Sequence, residues 1–203
     1  MRHFSSFSFP ALSIATALLA ALPVMPALAQ TGLEAPAASA SATPSVTLDT
    51  LFSDLKHERD DQKARRISER IWAQWRDSGS ATVNLLMQWA DKAVSDRKNG
   101  LALDLLDQAI VLMPDYVEGW NRRATLHFMM GNHGKSMVDI NRVLTLEPRH
   151  FGAIAGMAAI LSESGNDELE LRAWEQMLEI YPANRQAQQK VGELADKLAG
   201  RKT

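Results

Sequence analysis

Residues 117–150 read VEGWNRRATLHFMMGNHGKSMVDINRVLTLEPRH, and this stretch decides the fold. It holds two runs of apolar residues at helical spacing, which are separated by Gly131-Asn132 and closed by Pro148. Apolar side chains that recur every three to four residues predict amphipathic helices, and a proline forces the residue before it out of the helical region. The stretch therefore predicts two helices joined by a short turn.

The same pattern occurs on both sides of this stretch. Pro114, Pro148 and Pro182 stand 34 residues apart, and each closes an apolar run. A fixed period of this kind indicates stacked copies of one small unit. With the proline at position 32, the units are 83–116, 117–150 and 151–184, together residues 83–184. Position 8, where the two helices of a unit press together, is Ala90, Ala124 and Ala158.

This combination of unit length, proline phase and small residue resembles the tetratricopeptide repeat (TPR) family. The resemblance implies an all-α fold, a right-handed TPR solenoid of antiparallel helix pairs with a C-terminal capping helix. Residues 71–80, 119–124 and 147–153 are similar to small exported TPR proteins of the alphaproteobacterial type. Such a resemblance implies a non-enzymatic interaction module and identifies no partner.

The two ends of the array depart from the repeat. Residues 48–82 fit the unit poorly, because Lys56 and Ser80 occupy the positions of the small residue and the proline. We expect this segment to be a degenerate N-terminal capping helix pair, since terminal repeats are usually atypical. Residues 185–203 are expected to form a capping helix and tail. The repeat places all five tryptophans at core positions; they are Trp72, Trp75, Trp89, Trp120 and Trp174.

The N-terminus reads as a targeting segment. Arg2 and His3 precede a short apolar run, and Ala27-Leu28-Ala29 has the form of a cleavage site. This is the pattern of a secretory signal peptide at 1–29, cleaved near Ala29; the alternative is an uncleaved membrane anchor. Residues 30–47 are rich in Ala, Pro, Ser and Thr and predict a disordered tether. We therefore expect a periplasmic protein with no membrane span in its mature form.

No catalytic or metal-binding motif emerges from the sequence. Residues 131–136 look like a phosphate loop, but two residues separate the glycines where that motif needs four. No two histidines stand at i, i+4, which argues against a zinc protease, and His133 and His150 fall at turns where we expect them to be solvated. The formal net charge is −2 with no basic block, which argues against nucleic acid as a partner. We predict no catalytic residue, no metal site and no cofactor.

Binding is expected in the concave groove that the resemblance implies. The candidate peptide-binding residues are Glu118, Asn121, Arg122, Thr125, Phe128, Gly152, Ala155, Gly156 and Ala159. The last four form a nearly bare face, and small residues let another backbone approach closely. Either a peptide or helix lies on this face, or the face packs tightly on a neighbouring part of the chain.

Three functions follow as hypotheses. The first is a periplasmic protein–protein interaction module that holds a peptide or helix of a cell-envelope protein. The alternative is a chaperone or assembly factor for envelope complexes, similar to TPR proteins of cytochrome c maturation or pilus biogenesis. The third, an enzyme, has no nucleophile–base pair or ligand set to support it. A carboxylate clamp of the chaperone-binding type is not expected, because only Arg122 of the five matching positions is basic.

Overall fold

The computed structural model describes residues 47–201, and these form nine helices without a strand. The helices are α1 (Leu48–His57), α2 (Asp61–Arg76), α3 (Ala81–Ser95), α4 (Asn99–Leu112), α5 (Val117–Met129), α6 (His133–Leu146), α7 (Phe151–Glu163), α8 (Asp167–Ile180) and α9 (Arg185–Gly200). The predicted all-α fold of helix pairs is confirmed. The predicted signal peptide (1–29), the tether up to residue 46 and the last two residues lie outside the described residues, while Thr47 caps α1.

The prolines end the second helix of each unit. Helices α4, α6 and α8 end at Leu112, Leu146 and Ile180, each two residues before its proline. Within the units, the small residues at position 8 are buried. Since alanine carries only a methyl group beyond the backbone, the paired helices approach closely at these points.

The turn between the two helices of a unit needs one residue in the left-handed region. Gly131 and Gly165 supply it, with φ of +73° and +66°. In the first unit this residue is Arg97, with φ of +59°, although Asn99-Gly100, a pair of residue types that tolerate this region, stands two residues later. Asn99 and Gly100 instead begin α4. The turn has the same length in all three units. The residue with positive φ therefore has a position that is fixed by the helix ends and not by where a glycine occurs.

The N-terminal helix pair forms, but it does not cap the first unit. Helix α1 packs on α8, and α2 lies against α5. The buried core of the pair, which includes Leu55 and Ile71, is shared with Ile154 and Trp174 of the third unit. The pair therefore folds back along the stack and joins its C-terminal half.

Aromatic packing holds this arrangement. Trp75 stacks on the His150 ring with centroids 4.0 Å apart, and Phe151 lies 4.9 Å away. Trp72 meets both of these rings edge-on. Offset and edge-on ring pairs contribute beyond their buried area, so the cluster fixes α2 on the beginning of α7. His150, expected to be solvated, is completely buried here.

Polar contacts tie the same pair to the repeats from three sides. Arg149 Nη1 lies 2.8 Å from Asp49, and Arg185 Nε lies 3.1 Å from Asp61. The Tyr116 hydroxyl donates to the Arg76 carbonyl at 2.9 Å. These bonds reach the end of the second unit, α9 and the end of the first unit, respectively.

Helix α9 covers the other end of the stack. It packs on α8 and buries Ala187 and Leu194, and Val191 packs against the same core. Its opposite face carries exposed polar side chains. None of the helices within 47–201 combines the length and the apolar character that a membrane span requires.

Candidate binding cleft on the concave surface

The inner surface of the repeats is partly occupied by the chain's own helix α2. Glu69, Trp72 and Arg76 of α2 face Arg122 and Thr125 of α5 across one pocket. Further along, α2 faces α3 across a second pocket. Helix α2 therefore lies along the surface that the sequence assigned to a partner.

The small-residue face of α7 accommodates this helix. A Cβ atom added to Gly152 would stand 2.5 Å from Cη2 of Trp72, closer than real Cβ contacts. Ala155 packs against the core that α2 shares with the third unit. Gly156 is less confined, because its added Cβ would meet Cδ1 of Ile140 at 3.4 Å. Of the two readings of this face, the structure therefore shows close packing at Gly152 and Ala155, with α2 as the neighbour.

Gly152 and Gly156 provide a matched test of this packing. Gly152→Ala should destabilise the protein by about 1–3 kcal/mol, since Trp72 must move to make room. Gly156→Ala should be neutral or stabilise it by up to about 1 kcal/mol, because alanine is the better helix former. Urea unfolding followed by circular dichroism measures both. Equal effects at the two positions would contradict the packing of Trp72 on Gly152.

A small cavity lies along the bare face, between Gly152, Gly156 and Ala159 of α7 and the neighbouring helix α5. It has a volume of about 90 Å³, and its lining includes Phe128, Gly156 and Ala159. Phe128 stacks on the His133 ring with centroids 5.3 Å apart. A space of this size admits a small side chain at most, so it can extend a binding surface but not form one.

Beneath α2 lies a buried polar cluster. Glu118 accepts a 2.6 Å hydrogen bond from Asn121, and both side chains are buried. Nε2 of His150 lies 4.0 Å from Oε2 of Glu118. His150 also caps α7, since its Nδ1 accepts the Ala153 amide at 3.0 Å. Glu118 and Asn121, both predicted to face a partner, therefore serve the interior.

Burial sets the charge of this cluster. It lowers the pKa of His150 to about 4, so the ring is neutral near pH 7. Burial also raises the pKa of Glu118, against the hydrogen bond from Asn121 and the nearby Arg122. Among residues 47–201, Trp75 Nε1, His150 Nε2 and Glu118 Oε1 are buried without a hydrogen-bond partner. Unpaired buried polar atoms are costly, so the cluster is sensitive to changes in protonation.

The open part of the concave surface is a cleft between α2 and the repeats. A pocket of about 320 Å³ has Met87, Gln88 and Asp91 on one wall and Arg76 and Asp77 on the other. A neighbouring pocket of about 410 Å³ continues along Asn121, Arg122 and Thr125. We refer to these two adjoining pockets as the α2 cleft.

Arg122 lies at the junction of the two pockets. Its Nη1 donates to Asp91 at 2.8 Å, and its Nε lies 3.9 Å from Glu118. The arginine side chain is about one-third exposed and Asp91 about half exposed. The pair therefore presents both signs of charge to the cleft. No group of three or more metal-ligating side chains occurs within the described part of the chain.

Comparison with known proteins agrees with the repeat architecture. A TPR repeat-containing protein of Rhizobium etli is 63% identical over 165 residues, which cover 81% of each chain. This chain belongs to the TPR family. The relative also agrees with the alphaproteobacterial type to which the sequence is similar. No protein-family model matches the chain.

Solved TPR structures share the fold. The first TPR domain of Spaghetti (RPAP3), solved bound to the HSP90 peptide SRMEEVD, superposes with a TM-score of 0.54 at 20% identity. The match covers 59% of this TPR chain and 95% of that domain. MamA superposes with a TM-score of 0.51 at 17% identity, covering 73% of this chain and 81% of MamA. At these identities the likeness shows the TPR fold alone.

The cleft residues contributed by α2 escaped the sequence analysis. Ala73, Arg76 and Asp77 belong to the segment that was expected to cap the first unit. One signal did indicate that a helix approaches α7, namely the bare face that begins at Gly152. The run of small residues on α7 indicates that another part of the structure packs against it, but it does not identify which segment.

Proposed function

We propose that this TPR protein is an exported, non-enzymatic interaction module that binds an extended peptide of a cell-envelope protein in the α2 cleft. The observation that carries the proposal is the cleft itself. It joins pockets of about 320 and 410 Å³, a size typical of ligand sites. Its walls combine an apolar side chain, Met87, with amide and charged groups.

The shape of the cleft favours an extended segment over a helix. A helix with its side chains is about 10–12 Å across, and α2 already lies on the inner surface of the repeats. The space left beside α2 is a channel whose lining includes the side-chain amide of Gln88. Asn84 also lines it, but its amide is already bonded to Ser78 and Asp77. Side-chain amides can both donate to and accept from a peptide backbone, which is what an extended partner requires.

The electrostatics argue against a partner held by its C-terminal carboxylate. RPAP3 is solved with a peptide of HSP90, but Arg122 of this chain is already paired with Asp91. A second carboxylate would meet the negative charge of Asp91 at the same place. We therefore expect an internal peptide segment whose charges complement the Asp91–Arg122 pair.

Reversing the charge at Asp91 tests the cleft. Asp91→Arg places two cations side by side and moves a long side chain into the channel, so we expect at least about a tenfold loss of partner capture. Capture is measured by photocrosslinking in living cells from a photoreactive residue at position 125. The exposed pair Asp115–Arg142, with a 3.2 Å contact, supplies the matched control Asp115→Arg.

Stability and binding are separable in this design. Exposed ion pairs contribute about 0–1 kcal/mol, so both variants should melt near the wild-type temperature. If Asp91→Arg and Asp115→Arg capture the partner equally well, the α2 cleft is not the binding site. Crosslinks from position 138, which lies on α6 outside the cleft, report the background.

Export is the other half of the proposal and has its own test. Sequencing the N-terminus of protein recovered from the periplasmic fraction should give a chain that begins at Gln30. A chain that begins at Met1, or one found only in the cytoplasm, would contradict it. Neither result would affect the test of the cleft.

A further inference from the structure

The small cavity between α5 and α7, which we call the α5–α7 cavity, opens onto the concave surface. Its volume is about 90 Å³. Within its lining, Thr125 is exposed and Gly156 and Ala159 are partly exposed, whereas Ala124 and Ala153 are buried. The exposed members form a rim and the buried members a floor, so a side chain that arrives from the concave surface can enter.

The α5–α7 cavity is continuous with the α2 cleft. Asn121 and Thr125 line both the cavity and the cleft pocket of about 410 Å³. Helix α2 covers α7 at Gly152, where an added Cβ would meet Trp72, but Trp72 does not come within 4 Å of a Cβ added at Gly156. A peptide in the α2 cleft therefore lies beside an open cavity.

Packing explains the glycine at position 152 but not the one at position 156. A Cβ added at Gly156 would meet Cδ1 of Ile140 at 3.4 Å, which is an ordinary van der Waals contact. Alanine would therefore fit, and it is favoured over glycine in the interior of a helix. What glycine provides at this position is the open space in front of Ile140.

The polar side chains of the lining are already engaged within the chain. The Ser136 hydroxyl donates to the Ala124 carbonyl at 2.8 Å, and the Thr125 hydroxyl donates to the Asn121 carbonyl at 2.9 Å. The Asn121 amide donates to Glu118 at 2.6 Å. A buried water needs about two to four polar partners, so this cavity is better suited to an apolar group.

The volume of the cavity limits the size of that group. An engineered apolar cavity of about 150 Å³ binds benzene, which has six carbon atoms. In proportion, a cavity of about 90 Å³ holds roughly three to four carbon atoms. The side chain of valine has three carbon atoms and those of leucine and isoleucine have four, whereas an aromatic ring with its Cβ has at least seven.

An unpaired acceptor in the cleft lies close to the cavity. Within residues 47–201, Oε1 of Glu118 is buried without a hydrogen-bond partner. Glu118 lines the cleft and precedes Asn121, which lines both spaces, by about one helical turn. Because a buried unpaired acceptor is costly, a backbone amide of a bound peptide would be favoured here. A peptide thus finds an acceptor and an apolar cavity side by side.

We propose that the α5–α7 cavity receives one valine-sized aliphatic side chain of the peptide that binds in the α2 cleft. The inference rests on the proposed function, because it specifies what that peptide presents. Gly156 and Ile140 are then specificity-determining residues. The absence of a side chain at Gly156 leaves the cavity open, and Cδ1 of Ile140 limits its depth.

Selection of peptides from a phage-displayed random library on the purified protein tests the cavity. One position of the selected peptides should be enriched in valine, leucine and isoleucine and depleted of phenylalanine and tryptophan. A selected peptide is then synthesised with valine, leucine or glycine at this position, and its affinity is measured by titration calorimetry. Glycine should lower the affinity at least about tenfold, since burial of an aliphatic side chain contributes that much.

Two substitutions should change the preferred size in opposite directions. Gly156→Ala fills part of the cavity and should shift the ratio of the valine-peptide and leucine-peptide affinities about tenfold towards valine. Ile140→Val removes Cδ1 and should shift the same ratio about tenfold towards leucine. A change in stability alone would weaken both peptides alike, so the ratio separates recognition from folding.

Trp89 supplies a control for unspecific capture of apolar peptides. The repeat pattern placed it in the core, but it is 52% exposed, because α1 and α2 pack on the third unit and leave this end of the stack open. It lines neither pocket of the α2 cleft. Trp89→Ala should therefore leave the selected peptides and their affinities unchanged.

The outcomes distinguish the cavity from the cleft. If Asp91→Arg abolishes peptide binding but the affinity ratio is the same in Gly156→Ala, Ile140→Val and the wild type, the cleft stands and the proposal for the cavity is overturned. A preference that disappears in Trp89→Ala would also overturn it. If no peptide is enriched, or if Asp91→Arg binds the selected peptides normally, the cleft is not the binding site and the inference about the cavity fails with it.

Discussion

Replacing Trp75 with alanine is expected to lower the free energy of unfolding by about 3–5 kcal/mol, as for large buried aromatic residues generally. Trp75 is 7% exposed and touches rings from three parts of the chain. It stacks on His150 and packs beside Phe151, and its centroid lies 5.8 Å from that of Phe52. Its removal leaves a cavity where α1, α2 and α7 meet. Urea unfolding followed by circular dichroism measures the loss.

Trp89→Ala is the matched control for this variant. It removes the same side chain from a site that is 52% exposed, and surface substitutions usually change stability by about 0.5 kcal/mol or less. If the alanine variants at 75 and 89 are equally stable, α2 does not hold the position described above.

Acidification is expected to destabilise the protein through His150 by roughly 3 kcal/mol. The native pKa of about 4 lies below the ordinary value of 6.5, so the unfolded chain takes up this proton more readily than the folded one. The contribution of neutral His150 to the free energy of unfolding is complete above pH 6.5 and is lost as the pH falls towards 4. Each pKa unit corresponds to about 1.4 kcal/mol, which gives the stated magnitude.

Glu118 acts in the opposite direction. Its pKa is raised by burial, so the folded protein binds this proton more readily than the unfolded chain does. This contribution is present at low pH and is lost as the pH rises through the native pKa. The two groups partly offset each other in the wild-type protein, so the effect of His150 must be measured as a difference between variants.

His150→Asn isolates the histidine. Asparagine keeps an acceptor for the start of α7, since it is a favoured N-cap residue, and it does not titrate. The stability of the wild type relative to this variant should fall by roughly 3 kcal/mol between pH 7 and pH 4. Parallel pH profiles for the two proteins would show that His150 is not held neutral in the fold. Glu118→Gln should make the loss of stability in acid steeper than in the wild type.

Much of the repeat architecture was predictable because its signals are local. Pro114, Pro148 and Pro182 mark where helices stop, and Ala90, Ala124 and Ala158 mark where they touch. These effects act within a few residues along the chain. They therefore predicted the helix pairs and their period without knowledge of the rest of the molecule.

The candidate site was less predictable. All four of Glu118, Asn121, Arg122 and Thr125 border the cleft, but Glu118 and Asn121 are buried and only Arg122 and Thr125 are exposed enough to meet a partner. The repeat pattern assigns all four to one inner surface. Which of these side chains remains exposed depends on where α2 packs, and the sequence of α2 does not determine that by itself.

The sequence by itself determined that helix pairs form, how long they are and which faces are apolar. Only the tertiary structure decided what covers each face. Trp72 and Trp75 give α2 an apolar face, and this face would be the same if α2 packed on α3 and not on α7. Trp89 likewise gives α3 an apolar face, whether or not another unit precedes the first one. Periodicity specifies that a surface must be buried, but the partner is chosen by the fit of distant parts, such as Trp72 over Gly152. That fit exists only once the chain is folded.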